Sequence, residues 1–143
     1  MSSSIMISKK MIEEIKKRGL DPEDLIIEVL RKTIKLDPDI IIEARLELFK
    51  KYLIDGKSML EKDSIQLSEK LYKAAEECLK ALTIYFSLTD ILLKVEERGG
   101  WTVADLEKSM LRISERIGEW FRHAWALHVW DSMKENLILR MLK

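Results

Sequence analysis

The sequence predicts an all-α protein, an antiparallel up-and-down helical bundle. Its composition is one reason: 47% of residues are hydrophobic and 35% charged, with only five Gly and two Pro, as is typical of a helical globular protein. Apolar residues also recur at helical spacing between short connections that carry cap and stop residues. These signals predict five or six helices, three of them long, in a chain of 143 residues.

Residues 1–36 predict two helices that form an extension packed on the bundle. The first has apolar residues at helical spacing: Ile7, Met11, Ile12 and Ile15. Gly19 is placed to end that helix. Asp21 as N-cap and Pro22 at the first helical position begin the second helix, which we expect to reach about Ile34.

Residues 37–143 predict the bundle itself, which opens with a long helix after Asp37-Pro38. Its apolar residues follow alternating steps of four and three, a heptad seam: Ile42, Leu46, Phe49, Leu53, Gly56 and Leu60. A glycine inside a helix costs about 1 kcal/mol relative to alanine. Gly56 therefore predicts close approach of a neighbouring backbone, with a hinge as the alternative.

The second long helix of the bundle is predicted from about residue 64 to 86. One face carries Leu67, Leu71, Ala74, Cys78, Leu82 and Tyr85. The acid and base residues four apart on its other face predict a solvated surface: Glu69, Lys73, Glu76 and Lys80. A short helix follows and ends at Gly99-Gly100, where we expect Trp101 to pin the loop to the body.

The next helix is predicted to start at Thr102, with Asp105 completing a near capping box, and to end near Glu115. Gly118 separates it from the final helix. That last stretch contains three of the four tryptophans and both histidines, and we expect any functional site there.

Composition excludes several classes of protein. Twenty-five Lys and Arg balance 25 Asp and Glu, so no global field recruits nucleic acid or an anionic membrane. A single cysteine excludes an internal disulfide, and C-x-x-C zinc spacing is absent.

Without an apolar leader or an apolar run long enough to span a membrane, we expect a cytoplasmic protein. One Gln and one Asn are typical of a thermophilic source.

Trp120, Trp125 and Trp130 are spaced by five residues, which is a step of roughly 140° around a helix. They cannot share one narrow stripe, so either the helix is buried on several sides or one tryptophan faces a partner. We favour a homodimer built partly on this helix, since aromatic residues are enriched in interface cores. Trp125 and Trp130 are candidate binding residues.

His123 and His128 point in different directions and are a poor zinc pair. Nucleophile-elbow, Walker and dinucleotide motifs are absent, so we expect no metal and no cofactor. Arg122 and His128 remain as candidate catalytic residues. An arginine holds phosphate, and a histidine can move the proton of an RNA 2′-hydroxyl.

Geometry and spacing leave other roles open for these residues. On a regular helix the Arg122 and His128 side chains lie about 120° and about 9 Å apart, so they converge only by a long arginine reach or across two subunits. His128 could instead bond to Asp131 or Ser132. His123, close to Glu119, could be a surface ion partner, although it is also a candidate binding residue.

Several stretches resemble a known family: Ala44-Arg45-Leu46-Glu47-Leu48, Ser68-Glu69-Lys70-Leu71-Tyr72-Lys73-Ala74-Ala75-Glu76-Glu77, Trp101-Thr102 and Ala126-Leu127-His128-Val129-Trp130. The chain is similar over about residues 37–130 to the PaREP-type archaeal paralogous proteins, a family that looks like a branch of the HEPN superfamily of four-helix bundles. Tyr72 and Lys73, inside the most specific stretch, are further candidate binding residues.

The resemblance implies a dimeric HEPN-like bundle of uncharacterised function, which binds a nucleotide, RNA or a partner protein, for example of nucleotidyltransferase type. HEPN ribonucleases carry Arg-x4-6-His at the dimer groove, and Arg122 with His128 fits that spacing. A metal-independent endoribonuclease of toxin type is thus one alternative, and a purely structural interaction bundle is another. Close family members are expected to have Gly-Phe-His-Glu after the Leu-His-Val-Trp run, where this chain has Asp131-Ser132-Met133-Lys134.

Overall fold

The computed structural model of the chain describes residues 4–125, and the regular secondary structure in that range is helical throughout. Six helices have these bounds: α1 (Lys9–Lys17), α2 (Pro22–Thr33), α3 (Pro38–Ser58), α4 (Ser64–Tyr85), α5 (Thr89–Arg98) and α6 (Val103–Ile117). A further helical segment covers residues 119–125. The predicted all-α helical bundle is confirmed.

The chain divides into two compact units, Met1–Asp37 and Pro38–Lys143. The first contains α1 and α2, which contact each other. In the second, α4 is the central helix, and it packs against α3, α5 and α6. That residues 1–36 are an extension packed on the bundle stays a prediction.

Local signals place most helix ends where the sequence predicts them. The Asp21 carboxylate accepts a hydrogen bond from the Asp24 backbone N–H at 3.2 Å and caps α2. Thr102 and Asp105 form a complete reciprocal capping box at the start of α6. Gly19 and Gly99, at φ +75° and +83°, adopt the left-handed conformation that ends a helix. Asp63 caps α4, a role that the sequence interpretation did not assign.

The hydrophobic core lies among α4, α5, α6 and the segment that follows α6. Its buried members are Leu79, Leu88, Ile91, Val95, Leu106, Met110, Ile113 and Trp125. Trp101 packs against this cluster, and it therefore contributes to anchoring the loop between α5 and α6.

The heptad seam predicted for α3 is wrong at Leu46 and Leu60, whereas Gly56 is buried as the seam predicts. Leu46 is 37% exposed and Leu60 64% exposed. The residues of α3 that are buried are instead Ile41, Arg45, Tyr52 and Gly56. The seam was built from apolar residues alone, whereas Arg45 occupies the contact with α4 because Glu77 supplies its counter-charge.

The close approach of a neighbouring backbone predicted at Gly56 is wrong, because the atoms nearest to this position belong to side chains of α4. A Cβ at this position would lie 3.4 Å from Leu71 Cδ2 and 3.6 Å from Lys70 Cβ, both on α4. Nothing in the contact requires a hinge.

The exposed face predicted for α4 is also partly wrong. Lys80 is 5% exposed, and Glu77 and Thr83 are buried beside it. Tyr85, which was assigned to the buried face, is 67% exposed. A helix covered by three neighbours buries more than one stripe, and a two-face pattern does not describe it.

Candidate functional site around Trp120

The candidate site begins at Gly118, where α6 ends. Gly118 has φ +121°, a conformation that L side chains rarely adopt, and a Cβ there would lie 2.9 Å from Trp120 Cδ1. Its N–H donates to the Ser114 carbonyl at 2.8 Å. A glycine is thus required by both backbone and space, and it starts the helical segment 119–125 next to the indole of Trp120.

Trp120 is an exposed aromatic side chain that its neighbours hold in place. It is 64% exposed, yet its Nε1 donates a 2.9 Å hydrogen bond to the Ile117 carbonyl. Its ring also meets Phe121 edge to face, with ring centroids 5.9 Å apart and planes at 87°. Because the indole N–H is satisfied within the protein, an exposed part of the ring is left as an apolar recognition surface.

Trp125 lies on the opposite side of the same segment. It is 8% exposed and belongs to the core cluster. Its ring centroid lies 6.1 Å from that of Tyr72 on α4. Burial and the neighbouring Glu76 carboxylate raise the pKa of Tyr72 to about 12. The expectation that the tryptophans face different directions is confirmed for Trp120 and Trp125.

Two arginines beside Trp120 have no carboxylate partner in the part of the chain that the structure describes. Arg122 is exposed, as is the adjacent His123. Arg116, on the last turn of α6, is also exposed, and its guanidinium carbon lies 5.2 Å from the centre of the Phe86 ring. Each of these exposed guanidinium groups can therefore bind an anion.

Not all the predicted site residues come together. Tyr72 meets Trp125, as described, while the Lys73 ammonium lies 5.7 Å from the ring centre of Tyr52, which is buried. His128 and Trp130 fall outside the described residues, so the predicted pairing of Arg122 with His128 stays a prediction.

Sequence reasoning missed a buried ionic cluster formed by Arg45, Glu77 and Lys80. Arg45 Nη1 donates to both Glu77 carboxylate oxygens at 3.0 and 3.3 Å. Lys80 Nζ lies 3.7 Å from Glu77 Oε1 and 5.9 Å from the centre of the Trp101 ring. The cluster thus links α3, α4 and the loop between α5 and α6.

A signal for this cluster was present in the sequence. Arg45 and Glu77 stand within the stretches that carry the family resemblance, and Lys80 lies three residues beyond one of them. Arg45 is also flanked by the apolar residues Ala44 and Leu46. The chemistry of the cluster supports a role in positioning the helices, because a buried ion pair fixes which groups meet in a packed interface.

A second, partly exposed cluster organises the start of α6. Arg98 donates two hydrogen bonds to the Asp105 carboxylate, which also accepts from the Thr102 backbone N–H at 2.9 Å. The Arg98 hydrogen bonds lower the pKa of Asp105 to about 2, and those from Thr102 act in the same direction. This cluster stabilises the loop that contains Trp101.

Within residues 4–125 no group of three or more His, Cys, Asp or Glu side chains is arranged to hold a metal ion. The helices in that range also include none that is long and apolar enough to cross a membrane.

Comparison with known proteins identifies the chain at the level of its family. No curated protein matches it, and no solved structure does. The family model described as the archaeal PaREP1/PaREP8 family matches residues 44–143. This range contains most of α3, all of α4, α5 and α6, and the candidate site. The chain therefore belongs to the archaeal PaREP1/PaREP8 family.

Proposed function

We propose that this protein is a helical module that binds RNA or a nucleotide, with a base stacked on Trp120 and phosphate held by Arg122. One observation carries the proposal. Trp120 is 64% exposed, although its Nε1 hydrogen bond and the Phe121 ring hold the indole in a fixed orientation. An aromatic surface that is ordered before binding loses little conformational entropy when a ligand stacks on it.

The chemistry of the surroundings suits a nucleotide. Stacking of a base on an aromatic side chain contributes about 1–3 kcal/mol. A guanidinium group can donate two parallel hydrogen bonds to a phosphate. Arg122 lies two residues after Trp120 and Arg116 four residues before it, and neither is neutralised by a carboxylate among the described residues.

The charge of the chain limits the form that binding can take. With 25 cationic and 25 anionic side chains, the protein has no net positive charge to attract nucleic acid over a long range. Binding therefore depends on one or two phosphate contacts, and affinity for single-stranded RNA should fall with salt at a logarithmic slope of about −0.7 per contact. We expect a total slope between about −0.7 and −1.4, far below that of a protein that follows a nucleic-acid backbone.

The test is fluorescence anisotropy with a labelled single-stranded RNA of mixed sequence. Trp120→Ala should weaken binding roughly tenfold or more, and Trp120→Phe should retain part of the affinity, because phenylalanine keeps an aromatic face. Leu93→Ala is the matched control, since Leu93 is similarly exposed at 57% but lies on α5. Equal affinity of the wild type and Trp120→Ala, or no binding by either, refutes the proposal.

A matched pair of arginine variants tests the phosphate contact. Arg112 is held by Asp90, whereas Arg122 has no such partner among the described residues. Arg122→Ala should weaken RNA binding and lower the salt slope by about 0.7. Arg112→Ala should leave both unchanged.

A metal-independent endoribonuclease is the second candidate, and the exposure of Arg122 favours it. In that case Arg122 holds the scissile phosphate, and His128 acts as acid or base. Purified protein should then cleave mixed RNA in excess chelator, and folded His128→Ala should not. RNA binding without cleavage would leave the binding module as the function.

The interaction bundle of the third interpretation can use the same surface, because tryptophan and arginine dominate the energetics of protein interfaces. Oligomeric state distinguishes an interaction bundle from an RNA-binding module. If the protein is an interaction bundle, Trp120→Ala should lower the oligomeric state, and neither the wild type nor the variant should bind RNA. The HEPN relationship and a nucleotidyltransferase-type partner remain proposals that follow from the sequence.

A further inference from the structure

The N-terminal unit exposes more apolar surface than two packed helices need to. Neither α1 nor α2 contains a buried residue. Seven large apolar side chains of the unit are exposed: Ile5, Met6, Met11, Leu20, Val29, Leu30 and Ile34. Met6 is 99% exposed and Ile5 77%. Exposed apolar surface on this scale is typical of an interaction site.

Part of this apolar surface, including Met11 and Leu20, lines a groove on the unit. It has a volume of about 350 Å³ and is lined by Met11, Ile15, Leu20 and Leu25. The charged side chains of Lys10, Glu14 and Arg18 also border it. An apolar side chain from another helix would fit such a groove, because its body would contact aliphatic groups while water still reached the charged ends.

The charges of the two helices are opposite in sign. The α1 helix and the residue that follows it carry five cations, Lys9, Lys10, Lys16, Lys17 and Arg18, against Glu13 and Glu14. The N-cap and first turn of α2 carry three carboxylates, Asp21, Glu23 and Asp24. Further along the helix Glu28 is paired with Arg31 at 3.2 Å, and Lys32 lies in the last turn. Lys9, Lys16 and Lys17 form no ion pair in the described part of the chain. The unit therefore presents a basic helix and an acidic helix beside one apolar surface.

We infer that a second copy of this chain covers the apolar surface, with α1 of one copy packed against α2 of the other. A two-fold interface uses the same patch on both copies, so it must be complementary to itself. A patch with one basic and one acidic helix meets that condition. An anionic lipid surface fits less well, because it would repel the three carboxylates at the start of α2.

This interface differs from the one that the sequence predicts. The tryptophan spacing predicts a homodimer on the last helix, whereas the inferred contact lies in α1 and α2 and does not involve Trp120. The inferred dimer contact goes beyond the proposed RNA binding. The experiment that tests one of the two proposals can fail without affecting the other.

A charge exchange followed by sedimentation equilibrium of the full chain tests the contact. One variant combines Lys9→Glu with Lys16→Glu, and the other combines Glu23→Lys with Glu28→Lys. Each variant alone would bring like charges together in the interface and should weaken dimerisation at least tenfold. An equimolar mixture pairs the acidic α1 with the basic α2 and should restore a dimer to within about threefold of the wild type.

Recovery in the mixture separates the proposal from simple unfolding, since two unfolded hairpins would not restore each other. Lys50→Glu with Lys51→Glu, which makes the same charge change on exposed positions of α3, should leave dimerisation unchanged. Met11→Ser should weaken the dimer without loss of helical circular dichroism.

Three outcomes would overturn the inference. The wild type could remain monomeric up to its solubility limit, the two variants could dimerise as the wild type does, or their mixture could fail to recover. If a monomeric wild type sedimented with vesicles that contain anionic lipid but not with zwitterionic ones, a lipid surface would replace the second copy as the occupant.

Discussion

Two arginine–carboxylate pairs in this protein use the same groups in opposite surroundings. In the pair between α3 and α4, the side chains of Arg45 and Glu77 are 1% and 4% exposed. In the pair between α5 and α6, those of Arg112 and Asp90 are 42% and 65% exposed. Desolvation makes the buried pair costly to break, while water and salt screen the exposed one. Similar chemistry in the sequence therefore has very different structural consequences.

The Arg98–Asp105 pair lies between these extremes. The Asp105 side chain is 4% exposed and that of Arg98 43%. The Asp105 carboxylate is also part of the capping box of α6. The three arginine–carboxylate pairs form a series. We expect the contribution of each pair to the free energy of unfolding to depend on its burial and shared hydrogen bonds rather than on the distance between its charged atoms.

The largest effect is expected at the buried pair. Glu77→Ala removes the carboxylate that both Arg45 and Lys80 approach, and it should lower the free energy of unfolding by about 3–5 kcal/mol, as loss of one partner of a buried ion pair does. Urea unfolding followed by circular dichroism measures the change.

The control for Glu77→Ala replaces the whole cluster. A triple variant, Arg45→Met with Glu77→Leu and Lys80→Met, should lose less stability than the single variant, because no charge then stays buried. A loss below about 1 kcal/mol for the single variant would contradict the comparison.

The intermediate pair should give an intermediate effect. Asp105→Ala breaks two arginine hydrogen bonds and the helix cap, and we expect a loss of about 1–3 kcal/mol at pH 7. Thermal unfolding measures it. Thr102→Ala, which leaves the two hydrogen bonds from Arg98 to the Asp105 carboxylate in place, should cost less.

Acid should remove the Asp105 contribution. The folded pKa of this carboxyl is lowered to about 2 from 3.8, so its stabilisation is fully present above pH 4 and is lost as the pH falls toward 2. The difference in Tm between wild type and Asp105→Asn should therefore narrow between pH 4 and pH 2. A constant difference over that range would exclude the ion pair as its source.

Gly56 tests how tightly the interface that contains the buried pair is packed. Gly56→Ala should raise the free energy of unfolding by up to about 1 kcal/mol, because alanine favours the helix and its Cβ meets Leu71 Cδ2 at 3.4 Å. Gly56→Leu should instead destabilise by about 1–3 kcal/mol through overpacking. Urea unfolding of both variants measures these changes. A destabilised Gly56→Ala variant would show that α4 cannot shift to accommodate the added methyl group.

The smallest effect is expected at the exposed pair. Arg112→Ala should change the free energy of unfolding by at most about 1 kcal/mol, since surface ion pairs contribute little. The change should diminish further in 1 M salt, where the screening length is about 3 Å. Unfolding at low and high salt measures it, and a loss as large as that of Glu77→Ala would refute the proposed dependence on burial.

The candidate site was only partly predictable. That the tryptophans of the last stretch face different directions follows from a step of five residues, and the structure confirms it for Trp120 and Trp125. Which of the two is exposed does not follow from spacing, since either face of the segment could have met α4. The pairing of Trp125 with Tyr72 decides it.

The sequence by itself determined the helical class, the family and most helix ends. Gly19, Asp21, Gly99 and Thr102 act within about four residues of their own position, so their effect is encoded in local order. Only the tertiary structure decided that Arg45, Glu77 and Lys80 are buried together. A charged side chain is buried only where a distant residue supplies its counter-charge, and that depends on which helices pack together.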